Sequence, residues 1–300
     1  MILYCTVPPE NTPVFHKERK SIMAITNFIP TVWSENLYQE LDKKYIGVAN
    51  CNRDFEGEIH EKGNTVRICG INDVIVSDYT KNSNMNSPVA LSDTVRDLKI
   101  DQAKYFNFQI DDIDRAQSSP KLMELAMKNA AGALANDADR YVYSLFGQAG
   151  SSIKCEDTNV DNIINLIIDA RTQLFANNVS DPEDIVIEVT PAIAGMIMKA
   201  KVNLSTDNTA VMEAGCIGAI GGCKIFVSNN VKKMEGENGY EHKCLARTKR
   251  AIAFAEQLSE IDAYRPELRF ADAVKGLHLY GAKVVYPKEM VLLDLNVVEA

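Results

Sequence analysis

The densest group of residues that could do chemistry is acidic and consists of Asp111, Asp112 and Asp114. Carboxylate oxygens at such close spacing could bind a divalent cation. The surrounding sequence, however, lacks the glycine and the distal glutamate that complete a calcium-binding loop. A solvated strand end that leads into a helix explains the three aspartates more simply, so we predict no metal site here.

The histidines, glycines and serines show no catalytic or cofactor-binding pattern. The four histidines fall in separate segments without an HExxH motif: His16, His60, His242 and His278. Four glycines superficially suggest a phosphate loop: Gly215, Gly218, Gly221 and Gly222. Neither GxxxxGKS/T nor GxGxxG occurs there, so tight turns explain them better. No GxSxG elbow accompanies the serines. We therefore assign no catalytic residue, cofactor site or metal ligand, and predict that the chain is not an enzyme.

The charge pattern argues against tight binding of nucleic acid. The 300-residue chain carries 32 lysines and arginines against 41 aspartates and glutamates, a formal net charge of −9. Nonspecific phosphate binding requires basic residues clustered on one face. The basic stretch Arg247, Lys249 and Arg250 is short and lacks interleaved aromatic residues, which predicts a solvated loop rather than a nucleic-acid groove. Any DNA contact should therefore be weak or local.

The cysteines and the hydropathy pattern predict a protein that is synthesised and assembled inside the cell. The seven cysteines are odd in number and widely scattered, without a CxxC pair of zinc-site spacing. They are typical of reduced thiols in a cytosol. No apolar run reaches about 18 residues, and residues 1–22 lack the basic start and long apolar centre of a signal peptide.

The first 22 residues have two explanations. Lys17, Glu18, Arg19 and Lys20 can all be written in purine-only codons, and Ser21 and Ile22 would then form a short spacer before Met23. This resembles a ribosome-binding site read as coding sequence, so we expect the mature chain to start at or just after Met23. A disordered tail that contains several prolines is the alternative.

Residues 23–97 are predicted to form an arm and a projecting hairpin. Trp33, Leu37, Leu41 and Tyr45 recur every fourth residue and predict a short helix over 32–45. Residues 49–80 are typical of strands joined by turns, and the polar stretch 81–97 predicts a loop or tip. More than 50 residues without an obvious core need partner subunits to offset their ordering entropy.

The remaining chain predicts a half-buried strand, a long helix and a compact middle. Alternating apolar residues from Leu98 to Asp111 predict the strand, and Ser119–Pro120 starts a helix of about 40 Å that ends near Gly147. Further elements are expected in this order: a helix over 159–177, an apolar strand over 185–189, a helix over 191–202, a strand over 224–228, a charged loop over 232–243, and strands from 251 onward.

Four of these segments together resemble tailed-phage major capsid proteins of the Hong Kong ninety-seven type. The first is KYFNFQIDDIDRAQS at 104–118, which runs into the long helix. The middle of the chain supplies DIVIEVTP at 184–191 and GCIGAIGGCKIFVSNNV at 215–231. The last is AYRPELRFADAVKGLHLYGAKVV at 263–285. Their order and spacing make the resemblance specific, and it covers residues 23 to about 295.

The resemblance implies an α+β capsid fold made of four parts. An N-arm over 23–50 and an extended β-hairpin loop over 51–97 precede a peripheral domain with a long spine helix. That domain is split between 98–149 and 246–295, and an axial domain occupies 150–245. A fused scaffold would need a long helical segment before the arm, so a separate scaffolding protein is expected.

The resemblance also implies the partners and the place of action. Such subunits form pentamers and hexamers that close into an icosahedral shell around double-stranded DNA, without sequence-specific binding and with a portal as a further partner. Assembly is expected in the host cytoplasm and the product is a virion, with no membrane involved. Some relatives crosslink lysine to asparagine; Lys62 and Lys81 are available, but no spacing singles out a pair.

Two other functions stay open on the sequence alone. An encapsulin-type compartment would use the same fold to enclose a cargo enzyme instead of DNA. A soluble metabolic enzyme would have only the acidic cluster and the glycine stretch from which to build a site.

Overall fold

The computed structural model describes residues 44–55, 65–71, 93–111, 122–179, 184–200, 216–236 and 239–297, with the single positions 37, 40, 78, 81 and 84. Within these ranges the helices are α1 (Leu122–Ser144), α2 (Ile163–Ala176) and α3 (Pro191–Lys199). The first strands are β1 (Thr65–Ile71), β2 (Asp93–Lys99), β3 (Gln102–Asp111), β4 (Ser151–Cys155), β5 (Ile185–Val189) and β6 (Cys216–Ile220). The others are β7 (Cys223–Val227), β8 (Lys233–Gly236), β9 (Gly239–Thr248), β10 (Ile252–Tyr264), β11 (Ala271–Val284) and β12 (Met290–Val297).

The strands form three sheets. Strands β1 and β2 make an antiparallel hairpin, and β10, β11 and β3 make an antiparallel sheet in that order. The third sheet has the order β4-β12-β9-β5-β7-β6, with β8 paired to β9. Its β12 runs antiparallel to β9 and parallel to β4, so this last described strand lies inside the sheet, between two partners.

Successive side chains of a strand point to opposite faces of its sheet. Both faces of the three-stranded sheet are covered by other parts of the chain. Phe254 and Tyr280 point to the side of α1, where Tyr280 meets Tyr141 edge-on at 5.6 Å between ring centroids. Ala253, Ala255 and Leu279 point the other way and pack with apolar residues at the base of the hairpin: Val66, Ile68, Leu98 and Ile100. The sheet therefore holds the long helix and the hairpin on opposite faces.

Small side chains let the long helix approach this sheet closely. Ala131, Ala135 and Ala138 of α1 are fully or almost fully buried. Tyr280 Oη donates a hydrogen bond of 2.7 Å to Asp137 of the same helix. The long helix and its alanine-rich packing face, both predicted from the sequence, are confirmed.

The third sheet packs against α2 and α3. Ile163, Ile167 and Leu174 of α2 are fully or almost fully buried, as are Ile193 and Ile197 of α3. Helix α2 ends at Ala176, and Asn178 just beyond its cap has a φ of 65°, in the left-handed region that terminates helices. The predicted helices and the buried strand at 185–189 are thus confirmed.

Two predicted loops are wrong where the structure describes them. The predicted loop over 81–97 overlaps β2 at 93–97, and all seven residues of this strand pair with β1. In the part of β2 with described side chains, Leu98 is buried while Asp97 and Lys99 are exposed, so the polar sequence did not indicate a strand. The predicted charged loop over 232–243 is largely the β8–β9 hairpin. Strand β8 is a mostly exposed edge strand, where charged residues are common.

Several predictions lie wholly or mostly outside the described residues. They include the leader over 1–22, the start at Met23, Asp112 and Asp114 of the acidic cluster, and most of the helix over 32–45. Within that helix Leu37 is helical and buried, and Glu40 is helical. In the glycine stretch, Gly221 and Gly222 have positive φ in the turn between β6 and β7, which confirms their predicted role. Gly218 also has positive φ, but it lies inside β6 at a shift in the pairing register with β7 rather than in a turn.

Candidate functional site

The segment 44–55, here called the connector, lies where α1 and the two larger sheets meet. Val48–Asn50 form a single turn of 3-10 helix, and the turn is followed by a short bridge to β10. Asn52 N donates to Ile252 O at 2.9 Å, and Phe254 N donates back to Asn52 O at 2.8 Å. The connector is therefore attached by its own backbone before the chain enters the hairpin.

Arg247 of β9 and Glu188 of β5 form a fully buried ion pair beneath the connector. Arg247 Nε and Nη2 each donate to a Glu188 carboxylate oxygen at 2.9 Å, and both side chains have 0% exposure. The guanidinium also donates to the carbonyl oxygens of Gly47 and Asn50. Burial opposes the charge on Arg247, but the adjoining Glu188 carboxylate holds the pKa of the arginine above its ordinary value. One side chain thus ties two strands to the connector.

Asn50 completes the contact between the connector and the ion pair. Its side-chain Nδ2 donates to Glu188 Oε1 at 3.2 Å and to Ile46 O at 3.0 Å. Asn50 is itself buried. A buried carboxylate requires such donors on its remaining lone pairs, and the connector supplies one of them.

Asp139 of α1 holds the connector from the helix side. Its carboxylate oxygens accept hydrogen bonds from Ile46 N at 3.1 Å and Val48 N at 2.9 Å. Burial raises the pKa of Asp139 to about 6, against the lowering effect of these two N–H groups. Residues Arg247, Glu188, Asn50 and Asp139 are called the inner cluster below.

Gly47 sits where no side chain fits. A Cβ atom at this position would lie 2.8 Å from Cζ of Tyr143 and 3.2 Å from Oδ1 of Asp139. Contacts this short force one partner to move, and Tyr143 is fully buried in the core. The glycine therefore lets the connector backbone approach α1 closely enough for the hydrogen bonds to Asp139.

A second buried carboxylate, Glu256 of β10, binds both ends of the connector. Its Oε2 accepts hydrogen bonds from the Tyr45 hydroxyl and from Nε2 of His278, the latter at 2.9 Å. Its Oε1 accepts from Arg53 Nη2 at 2.6 Å. Burial and the neighbouring Glu256 charge raise the pKa of Tyr45. Residues Glu256, His278, Tyr45 and Arg53 are called the outer cluster.

The inner and outer clusters position the connector and have no group set up for catalysis. Each carboxylate is already bound by cationic, hydroxyl or backbone donors, and the nearby Cys51 thiol has its pKa raised to about 12 by burial. A thiol with so high a pKa is a poor nucleophile. In the part of the chain that the structure describes, no group of three His, Cys, Asp or Glu residues could hold a metal ion.

The residues singled out in the sequence do not gather at one site. His242 and His278 are both buried, and His242 Nδ1 lies 2.8 Å from the Thr190 hydroxyl. Asp111 ends β3 and is exposed. The five cysteines with described side chains are free thiols, as predicted: Cys51, Cys155, Cys216, Cys223 and Cys244.

The prediction for Arg247 is wrong, and its partner Glu188 was not singled out in the sequence. Arg247 was predicted to lie in a solvated basic loop, but it is fully buried, whereas Lys249 and Arg250 are exposed. Glu188 was passed over inside an apolar strand. A signal was available only for Glu188, which is a single charge with apolar neighbours on each side, a pattern that a buried pair explains. Arg247 is followed by Thr248 and Lys249, so its surroundings gave no such signal.

The far end of the three-stranded sheet exposes large apolar side chains. Tyr105 and Leu277 are register partners on the face that the hairpin covers only at its base, and Tyr105 is 78% exposed. Leu268 and Phe270, in the turn between β10 and β11, are 96% and 84% exposed. These four residues, with Tyr264, are called the tip strip. Exposed apolar groups at this density are typical of a protein–protein contact.

Comparisons with known proteins place the chain by its structure. No protein-family model matches the sequence, and no curated protein matches it either. The capsid of Ralstonia phage GP4 is 11% identical, with a TM-score of 0.65 over 99% of each chain. A virus-like particle from Pyrococcus furiosus is 12% identical with a TM-score of 0.53, over 88% of this chain and 98% of that chain.

A chain from Mycobacterium phage Che8 is much closer in sequence. It is 31% identical, with a TM-score of 0.64 over 82% of this chain and 90% of that chain. The protein belongs to the tailed-phage major capsid family. The resemblance stated from the sequence is confirmed, as is the α+β capsid fold.

Membership in the capsid family suggests a structural role for the connector and the two clusters that hold it. A capsid shell protein needs rigid placement of its projecting segments, and the inner and outer clusters fix the connector between a helix and two sheets. None of the helices in the described ranges is long and apolar enough to cross a membrane. The candidate site of this capsid-family chain is therefore a structural junction.

Proposed function

We propose that the chain is the major capsid protein of a tailed phage or prophage. Many copies, as pentamers and hexamers, close into an icosahedral head shell around double-stranded DNA. The observation that carries this proposal is the 31% identity to the phage Che8 chain across 90% of its length. The alignment of this chain with the phage GP4 capsid over 99% of both chains supports it.

The four-part division is proposed with the same boundaries as in the sequence: an N-arm over 23–50, an extended loop over 51–97, a split peripheral domain over 98–149 and 246–295, and an axial domain over 150–245. The connector then joins the arm to the extended loop. Strand β12 pairs with β4 and β9, so the end of the chain would tie the two domains together.

The remaining partners follow from the shell. A separate scaffolding protein would set the curvature during assembly in the host cytoplasm, and a portal would occupy one vertex of the virion. The formal net charge of −9 suits a shell that encloses DNA without gripping it, because tight binding would need clustered basic residues.

The tip strip is proposed to contact a second copy of this chain. Changing Leu268 and Phe270 together to serine removes two large exposed apolar groups from the turn between β10 and β11. Burying such a side chain contributes about 1.5–3 kcal/mol. Losing both at each contact should weaken association by roughly 100-fold or more. Sedimentation velocity would show subunits or capsomers in place of shells.

The control for this prediction is Met198→Ser, which removes an exposed apolar side chain on α3. We expect this variant to assemble and the tip variant to keep the circular dichroism spectrum and unfolding midpoint of the unaltered chain. Normal shells from a well-folded tip variant would contradict the proposed contact.

An encapsulin-type compartment is the second candidate, and the match to the Pyrococcus furiosus virus-like particle favours keeping it. Purified particles decide between the two candidates by their contents. Nuclease-protected double-stranded DNA in particles from infected or induced cells would support the phage head. Particles that lack DNA and contain a second, stoichiometric protein would support the compartment.

A further inference from the structure

The inner cluster contains one more negative charge than positive charge. Asp139 and Glu188 are carboxylates and Arg247 is the single guanidinium, and all three are at most 1% exposed. Arg247 directs its donors to Glu188 and to the carbonyl oxygens of Gly47 and Asn50. Among the described residues, the hydrogen-bond donors to Asp139 are the backbone N–H groups of the connector. When Asp139 is ionised, its charge is therefore buried without a matching cation.

The other groups around Asp139 do not balance this charge. Among the described residues, the titratable groups that interact with Asp139 are Tyr143 of α1, Glu188 of β5, and Tyr45 and Cys51 of the connector. The nearby cation, Arg247 of β9, is bound to Glu188. Glu188 adds repulsion, and the neutral groups add none of the missing positive charge. An isolated buried carboxylate commonly takes up a proton instead of remaining ionised.

We propose that Asp139 is a proton-dependent latch on the connector, which holds this segment most firmly when the carboxyl is protonated and less firmly when it is ionised. The proton removes the uncompensated charge and weakens the hydrogen bond at the oxygen that it occupies, while the other carboxyl oxygen still accepts from the connector. The connector leads directly into the hairpin, so the latch would set how readily that part of the chain departs from the body. This device is independent of shell assembly.

The raised pKa of Asp139 determines how the stability of the folded chain changes with pH. The ordinary pKa of this carboxyl is 3.8, and burial raises it to about 6 in the folded chain. Between these values the folded chain binds more protons than the unfolded chain, so its stability falls as the pH rises. The contribution is fully present below about pH 4 and is lost above about pH 6. A shift of this size corresponds to roughly a 100-fold change in the unfolding equilibrium constant.

The test compares the full chain with Asp139→Asn, in unassembled form, by denaturant unfolding at intervals from pH 4.5 to 8. The ratio of the two unfolding constants at each pH isolates the Asp139 contribution. We expect the unaltered chain to lose stability relative to the variant by roughly 30-fold from pH 4.5 to pH 8, which is the part of the full change that falls in this range. The control Asp137→Asn, on the same helix and partly exposed, should leave the pH profile unchanged.

A second measurement covers the case in which Asp139→Asn does not fold. Amide hydrogen exchange of the unaltered chain reports the protection of Ile46 and Val48 relative to β12 amides at the same pH. This relative protection should fall as the pH rises from 5 to 7.5. Protection that is constant or rises over that range, or a pH-independent ratio of unfolding constants, would overturn the latch.

Discussion

Changing Arg247 to methionine is expected to destabilise the folded chain by about 3–5 kcal/mol, the largest single effect that we predict. The side chain is fully buried, and its removal leaves the Glu188 carboxylate without its bidentate partner. It also removes the donors to the carbonyl oxygens of Gly47 and Asn50, so the connector loses its attachment to β9. Urea unfolding monitored by circular dichroism would measure the loss.

Two comparison variants separate the effect of breaking the buried Arg247–Glu188 pair from the effect of removing a positive charge elsewhere. Arg250→Met removes an exposed arginine that pairs with Glu289 in the same stretch, and should cost less than about 1 kcal/mol. The double change of Arg247 and Glu188 to methionine should be less harmful than Arg247→Met alone, because no unpaired buried charge remains. If Arg247→Met matched Arg250→Met in stability, the inner cluster would not hold the connector.

Changing Gly281 to alanine is expected to cost about 3 kcal/mol, because the corner between β2 and β3 lies directly against this position of β11. A Cβ atom there would collide with the carbonyl oxygen of Lys99 and lie 3.0 Å from its carbonyl carbon. These are backbone atoms and cannot rotate away as a flexible side chain would. We expect increased amide exchange in Val66, Ile68 and Leu98, whose side chains pack on this face of the sheet.

The matched control is the same chemical change at Gly195. This glycine lies inside α3, and a Cβ atom there meets nothing within 4 Å. Gly195→Ala should leave stability unchanged or raise it by up to about 1 kcal/mol, since alanine favours a helix interior. Equal effects of the two substitutions would show that the hairpin base does not depend on close approach at Gly281.

The parts of the fold that could be predicted from the sequence are those with regular local patterns. The long helix carries an apolar stripe with alanines at its centre, and β3 alternates Phe106 and Phe108 with polar residues. Such periodicity depends on neighbouring residues alone, because one face of each element meets the core. The resemblance to the capsid family rested on these same segments, and it holds.

The hairpin edges could not be predicted for a different reason. Strand β2 has Arg96, Asp97 and Lys99 within seven residues, and its buried side is represented by Leu98. A strand that buries one narrow face against a partner can be mostly polar, and its identity depends on β1, more than twenty positions away. The edge strand β8 is misread for the same reason, since its hydrogen bonds come from β9.

The junction could not be assembled from the sequence because its partners are distant along the chain. Arg247 is 59 positions from Glu188 and 197 positions from Asn50. Glu256 is 211 positions from Tyr45 and 203 from Arg53. Only the tertiary fold brings these groups together. The isolated charge at Glu188 could have indicated a buried pair, but neither Arg247 as its partner nor the connector that the pair holds.

Electron microscopy of the purified chain tests the central claim most directly. The protein would be expressed from Met1 and from Met23, each alone and with a neighbouring scaffold-like gene, and imaged in negative stain. Membership in the capsid family predicts closed shells, tubes or capsomer rings in at least one preparation. Uniform monomers or dimers in every preparation, from chains with a native circular dichroism spectrum, would contradict a capsid subunit.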